Sequence, residues 1–299
     1  MKVTELLKNE KTCLSFEFFP PKNPEQEEQL FLTLAELAKF APDFVSVTYG
    51  AMGTSRERSF FWVSEIKNRF KIEPVAHLTC IAASKSEIAK YLDELFALGV
   101  LNILALRGDP QAGESTFAPP PDGFKYAKEL IAFIRSRKPG ICLGAAGFPE
   151  GHIQAPDLKT DIEYLKQKVD AGAEYIITQL FFDNKYFFDF VDRCRLAGIK
   201  VPIIAGLMPI TSYKQIKKIT ETCGARMPDE LRLKLDKFQN DNEAIKKIGA
   251  EQTLKQAKEL LNNRVSGIHF FVMNQSEPIL EILKDLNIPV PRVSLRHSQ

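Results

Sequence analysis

The chain has 299 residues, enough to bury a large core without metals or disulfide staples. Its 40 basic and 38 acidic residues leave a net charge of +2, which gives no electrostatic reason to expect a nucleic acid or a membrane surface as partner. No apolar run approaches the roughly 20 residues needed to cross a bilayer, and the N-terminal stretch MKVTELLKNE lacks the apolar centre of a secretory signal, so a cytoplasmic protein is expected.

Short apolar runs rich in β-branched and aromatic residues recur along the chain, each followed by a turn and a helix-like stretch. They are CLSFEFF (13–19), FVSVTYG (44–50), PVAHLTC (74–80), NILALRGD (102–109), ICLGAAGF (141–148), YIITQLFFD (175–183), PIIAGLMP (202–209) and GIHFFVMN (267–274). Between the first two runs, Leu30, Leu34 and Leu37 recur at helical spacing, with Phe31 and Ala38 beside them. After the third, Ile88, Leu92, Leu95 and Phe96 do the same. After the fifth, Asp157 and Asp161 open a helix striped by Ile162, Leu165 and Val169. Eight strands alternating with helices fit an open doubly wound sheet or a closed barrel; the count and the roughly 30-residue period favour a (β/α)8 TIM-type barrel. The gap before the eighth run is about twice the others, so residues 211–263 must hold extra helices between the seventh and eighth strands, with 229–235 and 242–261 as candidates. Nothing resembling a linker divides the chain, so residues 1–299 are expected to form a single domain with a loosely held tail at 290–299.

The five cysteines, Cys13, Cys80, Cys142, Cys194 and Cys223, are scattered, and four of them lie in or beside apolar runs; reduced, buried thiols are expected. The four histidines show no zinc-binding pattern, so no metal is expected. No GxGxxG or GxxxxGK[ST] motif occurs, which argues against a Rossmann domain or a P-loop hydrolase; any dinucleotide must be held by barrel loops.

In such a barrel the active site lies at the C-terminal ends of the strands. Alternation puts Ser15, Glu17 and Phe19 on one face of the first strand and Phe16 and Phe18 on the other. If the phenylalanines pack on helices, Glu17 points into the barrel mouth. The other strand ends offer Thr48 and Tyr49, His77 and Thr79, Arg107-Gly108-Asp109, Gln179, and Asn274 with Gln275. Each admits a plainer role. Glu17 could be half of a buried ion pair with Arg107. Gly108 could simply turn the chain, with Asp109 capping the next element. His77 and His152 could be hydrogen-bonded structural histidines.

Taken together, the segments SFEFFPPK (15–22), FVSVTYGA (44–51), AHLTC (76–80), ALRGD (105–109), AAGFPEGH (145–152), KVDAGAEYIITQLFFD (168–183) and PIIAGLMPI (202–210) resemble the methylenetetrahydrofolate reductase family, in order and over about residues 15–280. The resemblance implies a barrel that binds flavin adenine dinucleotide (FAD), takes hydride from NADH or NADPH, and reduces 5,10-methylenetetrahydrofolate to 5-methyltetrahydrofolate with ping-pong kinetics. It implies Glu17 as general acid and Asp109 as the carboxylate beside the flavin ring. It places Thr48, Tyr49, His77, Arg107, Gly108, Asp109, Tyr126, Ala127, Phe148, His152, Asp161 and Lys168 around the flavin, and Glu17, Gln179, Gln215 and Gln275 at the substrate. Two positions depart from the pattern. Phe148 stands where Tyr is frequent, which keeps a stacking ring and removes a hydrogen bond. Gln275 stands where Arg is common near the folate's acidic tail, a role that Arg264 or a tail arginine could take over.

Desolvation in the barrel mouth is expected to raise the Glu17 pKa, as an acid catalyst needs. Partners are then small molecules, with a homo-oligomer expected because helix-faced barrels commonly associate. At this length, regulation by the additional C-terminal domain of longer family members is not expected. The competing readings are a related flavin barrel such as a proline dehydrogenase, a family variant fed electrons by an iron–sulfur protein, and a flavin- or folate-binding module without turnover. A purely structural barrel would not need a ring of polar strand ends.

Overall fold

The computed structural model describes residues 1–8, 11–48, 53–81, 83–108, 119–286 and 288, with backbone alone at 53–57. Eight parallel strands close into a barrel in sequence order: β1 Cys13–Phe18, β2 Phe44–Val47, β3 Glu73–Thr79, β4 Asn102–Leu106, β5 Cys142–Gly147, β6 Tyr175–Thr178, β7 Ile203–Leu207 and β8 Gly267–Phe271. β8 pairs with β1, and Ser15 lies opposite His269. The apolar runs overshoot the strands at their C-terminal ends; those overshoots become the loops of the mouth.

A ring of helices covers the barrel: α2 Pro24–Ala38, α3 Gly53–Asn68, α4 Lys85–Ala97, α5 Ala127–Arg137, α6 Leu158–Asp170 and α7 Asn184–Leu196, following α1 Val3–Leu6 at the N-terminus. Several of their starts are chemically marked. Asn23 accepts from the Gln26 amide ahead of Pro24, Ser84 and Glu87 form a reciprocal capping box, and Asp157 accepts from the Thr160 amide. The expected apolar faces are buried: Leu30, Leu34 and Leu37 on α2; Ile88, Leu92 and Leu95 on α4; Ile162 and Leu165 on α6. Phe96 departs from the expectation. It is 45% exposed, lies one position off the α4 stripe, and sits beneath the Lys138 amine, 4.6 Å from its ring centre.

The long gap before β8 holds α8 Tyr213–Cys223, α9 Asp229–Lys237 and α10 Asn242–Asn262; α11 Glu277–Asp285 follows β8. Both expected helices are present and α8 joins them. α8, α9 and the start of α10 form a separate apolar cluster over the mouth loops, in which Ile216, Leu231, Leu235 and Ile245 pack with Leu180, Phe182, Met208 and Ile210. Phe16 and Phe18 belong to the main core between strands and helices, as alternation predicts.

The lower barrel interior is filled by Cys13, Phe44, Val75, Leu104, Cys142, Tyr175, Ile177 and Ile204, and is closed from below by Val3 of α1. Asn102 holds this plug: its Oδ1 accepts from the Val3 amide at 2.8 Å and its Nδ2 donates to the Met1 carbonyl at 3.0 Å. Gly144 makes room for the neighbouring ring, since a Cβ there would come within 2.4 Å of Tyr175. Cys13, Cys80, Cys142 and Cys194 are buried, Cys223 is half-buried, and all are free thiols.

Candidate functional site at the barrel mouth

Two residues above the floor, the inward side chains turn polar. Glu17 is buried, and its Oε2 gathers three neighbours: Ser46 Oγ donates at 3.1 Å, His269 Nε2 lies at 3.3 Å and His77 Nε2 at 3.2 Å. The His77 contact is electrostatic, its angle falling short of a hydrogen bond. His269 Nδ1 meets Ser15 Oγ at 2.8 Å, so both ring nitrogens are engaged. These residues come from β1, β2, β3 and β8, whose alternation turns all five inward.

The Glu17 carboxyl departs from the sequence expectation. Burial does push its pKa upward, but the His77 charge and the His269 hydrogen bond outweigh that, and the carboxyl is held well below the usual carboxylate range. The ion pair with Arg107 is absent as well. Arg107 turns to the β5–α6 loop, where its Nη1 donates to Gln154 Oε1 at 2.6 Å. Ser46 and His269 are the members of the cluster that the sequence reading does not single out. The alternation that singled out Glu17 finds both, because Phe44 and Ser46 share one face of β2, and Gly267, His269 and Phe271 one face of β8.

A second group lies along β5 and α6. Lys168 Nζ donates to the Ala146 carbonyl at 2.7 Å and lies 5.8 Å from the Phe148 ring centre. Burial pulls this amine down to about 8, with nearby Asp161 acting in the opposite sense. Asp161 is buried, which raises its pKa, while Lys168 and the His152 amide counteract the rise. Phe148 and His152 stack edge-to-face at 4.7 Å. Phe148, His152, Asp161, Lys168 and Arg107 thus gather on one side of the mouth. Gly108 has φ +87, and a Cβ there would meet Ile81 at 2.9 Å, so the chain turns where only glycine fits.

The remaining expected residues are more dispersed. Thr48 follows β2, and its carbonyl accepts from Ser59. Tyr126 is the 45% exposed N-cap residue of α5 and Ala127 its first helical residue. Gln179 follows β6 and folds back, its Oε1 accepting from the Leu180 amide at 2.9 Å. Gln215 is half-buried in the first turn of α8, and Gln275 is exposed after β8. Asn274 is structural: with φ +57, it exchanges two hydrogen bonds with the Phe19 backbone, both 2.9 Å. Arg264 cannot replace the expected arginine, because it lies between α10 and β8 at the opposite end of the barrel. Tyr49, Asp109 and the tail arginines lie outside the described residues. Thr79 Oγ1 is buried without a hydrogen-bond partner among the described residues, next to Gly108.

Comparison with known proteins now bears on this geometry. A family model described as methylenetetrahydrofolate reductase matches residues 2–287. The chain is 36% identical over 298 residues to methylenetetrahydrofolate reductase (NADH) 1 of Arabidopsis thaliana, covering 96% of this chain and 50% of that protein. It is 36% identical over 277 residues to the 5,10-methylenetetrahydrofolate reductase of Salmonella typhimurium, covering 92% of this chain and 90% of that protein. The chain therefore spans about half the length of the plant relatives it matches and most of the bacterial one. Among solved structures, a Clostridium thermocellum protein reported to bind two copies of 5-methyl-5,6,7,8-tetrahydrofolic acid superposes with a TM-score of 0.64 at 16% identity, covering 95% of this chain and 98% of that one, which supports the fold. Because the family match runs over nearly the whole chain and the bacterial relative is covered almost end to end, the chain belongs to the methylenetetrahydrofolate reductase family.

Proposed function

We propose that the protein reduces 5,10-methylenetetrahydrofolate to 5-methyltetrahydrofolate with FAD as resident cofactor and NADH or NADPH as donor, in alternating half-reactions at one site. The observation that carries this reading is the Glu17–Ser46–His77–His269 cluster at the mouth of a barrel of this family. The residues present fit the flavin. Lys168, Arg107 and His152 supply donors for a diphosphate, the Phe148 ring offers a stacking face, and Thr79 Oγ1 lacks, among the described residues, the partner a buried hydroxyl calls for. When bound, the flavin would supply hydride transfer from nicotinamide to folate.

The chain's own contribution is a proton. The substrate's methylene bridges two nitrogens, and it becomes open to hydride only when one nitrogen is protonated and the ring opens. With Glu17 held in its ionised form, the carboxylate must gain a proton when substrate binds. A substrate entering the mouth expels water and penalises the carboxylate relative to the neutral acid. Glu17 then takes up the proton that the reaction consumes and delivers it to the substrate nitrogen, while Ser15 keeps the ring of His269 in register. Asp109, by the family resemblance, would sit beside the flavin and favour a cationic folate intermediate.

The test is anaerobic absorbance of the flavin-loaded protein. Bleaching by NADH or NADPH, followed by reoxidation on addition of methylenetetrahydrofolate, is the expected result and names the donor. A bound flavin that neither nicotinamide bleaches points to a different donor, and absence of flavin affinity overturns the reading.

A further inference from the structure

The segment between β6 and α7 begins with Gln179, whose amide still donates to the Gly147 carbonyl of β5 at 2.8 Å, and from Leu180 onward it has neither ladder nor helix to satisfy its carbonyls. Buried carbonyls in such a stretch need donors from elsewhere. Here they come from α10, some 70 residues away in sequence: Gln256 Nε2 donates to the Phe181 carbonyl at 2.9 Å (|i−j| = 75), and Gln252 Nε2 to the Phe182 carbonyl at 2.7 Å (|i−j| = 70). Asn184, at the start of α7, closes the set. Its Nδ2 donates to the Gln256 carbonyl at 3.0 Å and to Glu259 Oε2 at 2.8 Å, and its Oδ1 accepts from Gln256 Nε2 at 3.3 Å. Gln256 and Asn184 are 4% and 3% exposed.

Packing alone does not require these amides. Phe181 already sits in the main core and Leu180 and Phe182 in the cluster over the mouth, which fixes the depth of the segment. Apolar side chains on α10 would fill the same space but leave the Phe181 and Phe182 carbonyls unpaired. What the glutamines add is direction: a hydrogen bond to each of two successive carbonyls fixes the rotation of both peptide planes, and with them the aim of the residues just before. The same helix also touches the next mouth loop by bare backbone, since a Cβ on Gly249 would come within 2.1 Å of the Ile210 carbonyl.

We propose that Gln252 and Gln256 are positioning residues that aim Gln179 at the folate, with α10 acting as the common buttress of the β6 and β7 loops. This rests on the proposed reductase activity and on Gln179 as a folate contact. The test is a double-mutant cycle in the flavin-loaded full chain, reading the dissociation constant of 5-methyltetrahydrofolate and the KM of methylenetetrahydrofolate. Gln256→Met, which conserves volume and removes both donors, is expected to weaken both constants about tenfold and to have no further effect in a Gln179→Ala background. Gln252→Met serves as a second, half-buried variant. Thr253→Val is the control: among the described residues Thr253 Oγ1 bonds only along its own helix, to the Gly249 carbonyl at 2.9 Å, so this change should lower the melting temperature and leave both constants alone. Additive effects of Gln256→Met and Gln179→Ala, or unchanged constants in both glutamine variants, overturn the positioning role while leaving the reductase reading intact. A wild-type chain that binds no 5-methyltetrahydrofolate overturns both.

Discussion

At the floor of the barrel, Val3, Cys13, Phe44, Tyr175 and Ile204 pack against one another with no ionisable carboxylate among them. One or two inward positions higher on the same strands stand Ser15, Ser46, His269 and Glu17. The change occurs along single strands: Cys13 gives way to Ser15 and then Glu17, Phe44 to Ser46, and Gly267 to His269. Interior depth is therefore not what makes the mouth chemical, since both layers are buried. The floor uses one amide, Asn102, on the Val3 and Met1 backbone, and leaves the buried Tyr175 hydroxyl without a hydrogen-bond partner among the described residues. The mouth keeps its polar groups close to one carboxylate oxygen and leaves Thr79 Oγ1 without a partner among the described residues. A lone unpartnered hydroxyl therefore does not separate the two layers; what separates them is the mouth's gathering of a carboxylate, two imidazoles and two hydroxyls, a buried polar network that the floor lacks.

The largest effect that would break this contrast is at Glu17. Glu17→Gln is expected to lower the rate of folate reduction by roughly 10²- to 10⁴-fold, the usual weight of a positioned acid. Reduction of the flavin by nicotinamide should remain near the wild-type rate. Stopped-flow absorbance separates the two half-reactions. Equal losses in both would mean that Glu17 shapes the site and does not donate the proton.

The next effect concerns the cationic side of the mouth. Lys168→Met should weaken flavin binding by about tenfold or more, the loss of one charge-assisted hydrogen bond. The sign of its pH dependence follows from the amine being pulled down to about 8. In the flavin-free protein the cation is lost as pH rises through that value, so wild-type flavin affinity should fall between about pH 7 and pH 9. The Met variant should show no such fall. Quenching of flavin fluorescence on binding gives both curves.

A floor variant provides the opposite signature. Asn102→Ala leaves the buried Val3 amide unsatisfied and should cost about 1–3 kcal/mol of stability. The activity of each folded molecule should not change, because nothing at the floor reaches the reacting atoms. Denaturant unfolding alongside a turnover assay normalised to bound flavin tests this. A change in KM would show that the two ends of the barrel are coupled.

How much of this was legible in the sequence follows the same division. The strands were readable because buried parallel strands are written as apolar β-branched runs, and the two expected helices in the β7–β8 gap showed as periodic segments without strand character. Glu17 was legible because a carboxylate in such a run violates its surroundings. Its partners were not. Arg107 was the obvious countercharge by type, yet pairing depends on which strands adjoin, and β1 lies between β2 and β8. The sign of the Glu17 shift was lost with them, since desolvation is visible in sequence and a neighbouring imidazole is not. α1 escaped notice because four residues carry no period, and Arg264 was assigned to the mouth because proximity to β8 in sequence does not reveal at which end of the strand a residue falls.

The smallest effect is a pH dependence of stability confined to the mouth. Glu150, in the β5–α6 loop beside His152, accepts the Arg226 amide on both carboxylate oxygens at 3.1 Å, joining that loop to the segment between α8 and α9. Burial raises its pKa to about 7 from a value of 4.5, with Arg226 opposing the rise and Asp183 adding to it. A carboxyl with a raised folded-state pKa holds its proton more tightly in the folded chain than in the unfolded one. Its stabilising contribution is therefore complete below the unfolded value and is lost as pH rises through about 7. Between about pH 6 and 7.5 the expected decline is about 1 kcal/mol. Glu150→Gln, which keeps the acceptor oxygen and cannot ionise, should flatten this segment of the curve, whereas Asn102→Ala should shift the whole curve down without changing its slope. If Glu150→Gln leaves the slope as it was, the carboxyl is already ionised at the lower pH, and the loop–insert contact is then a salt bridge with Arg226 rather than a protonated staple.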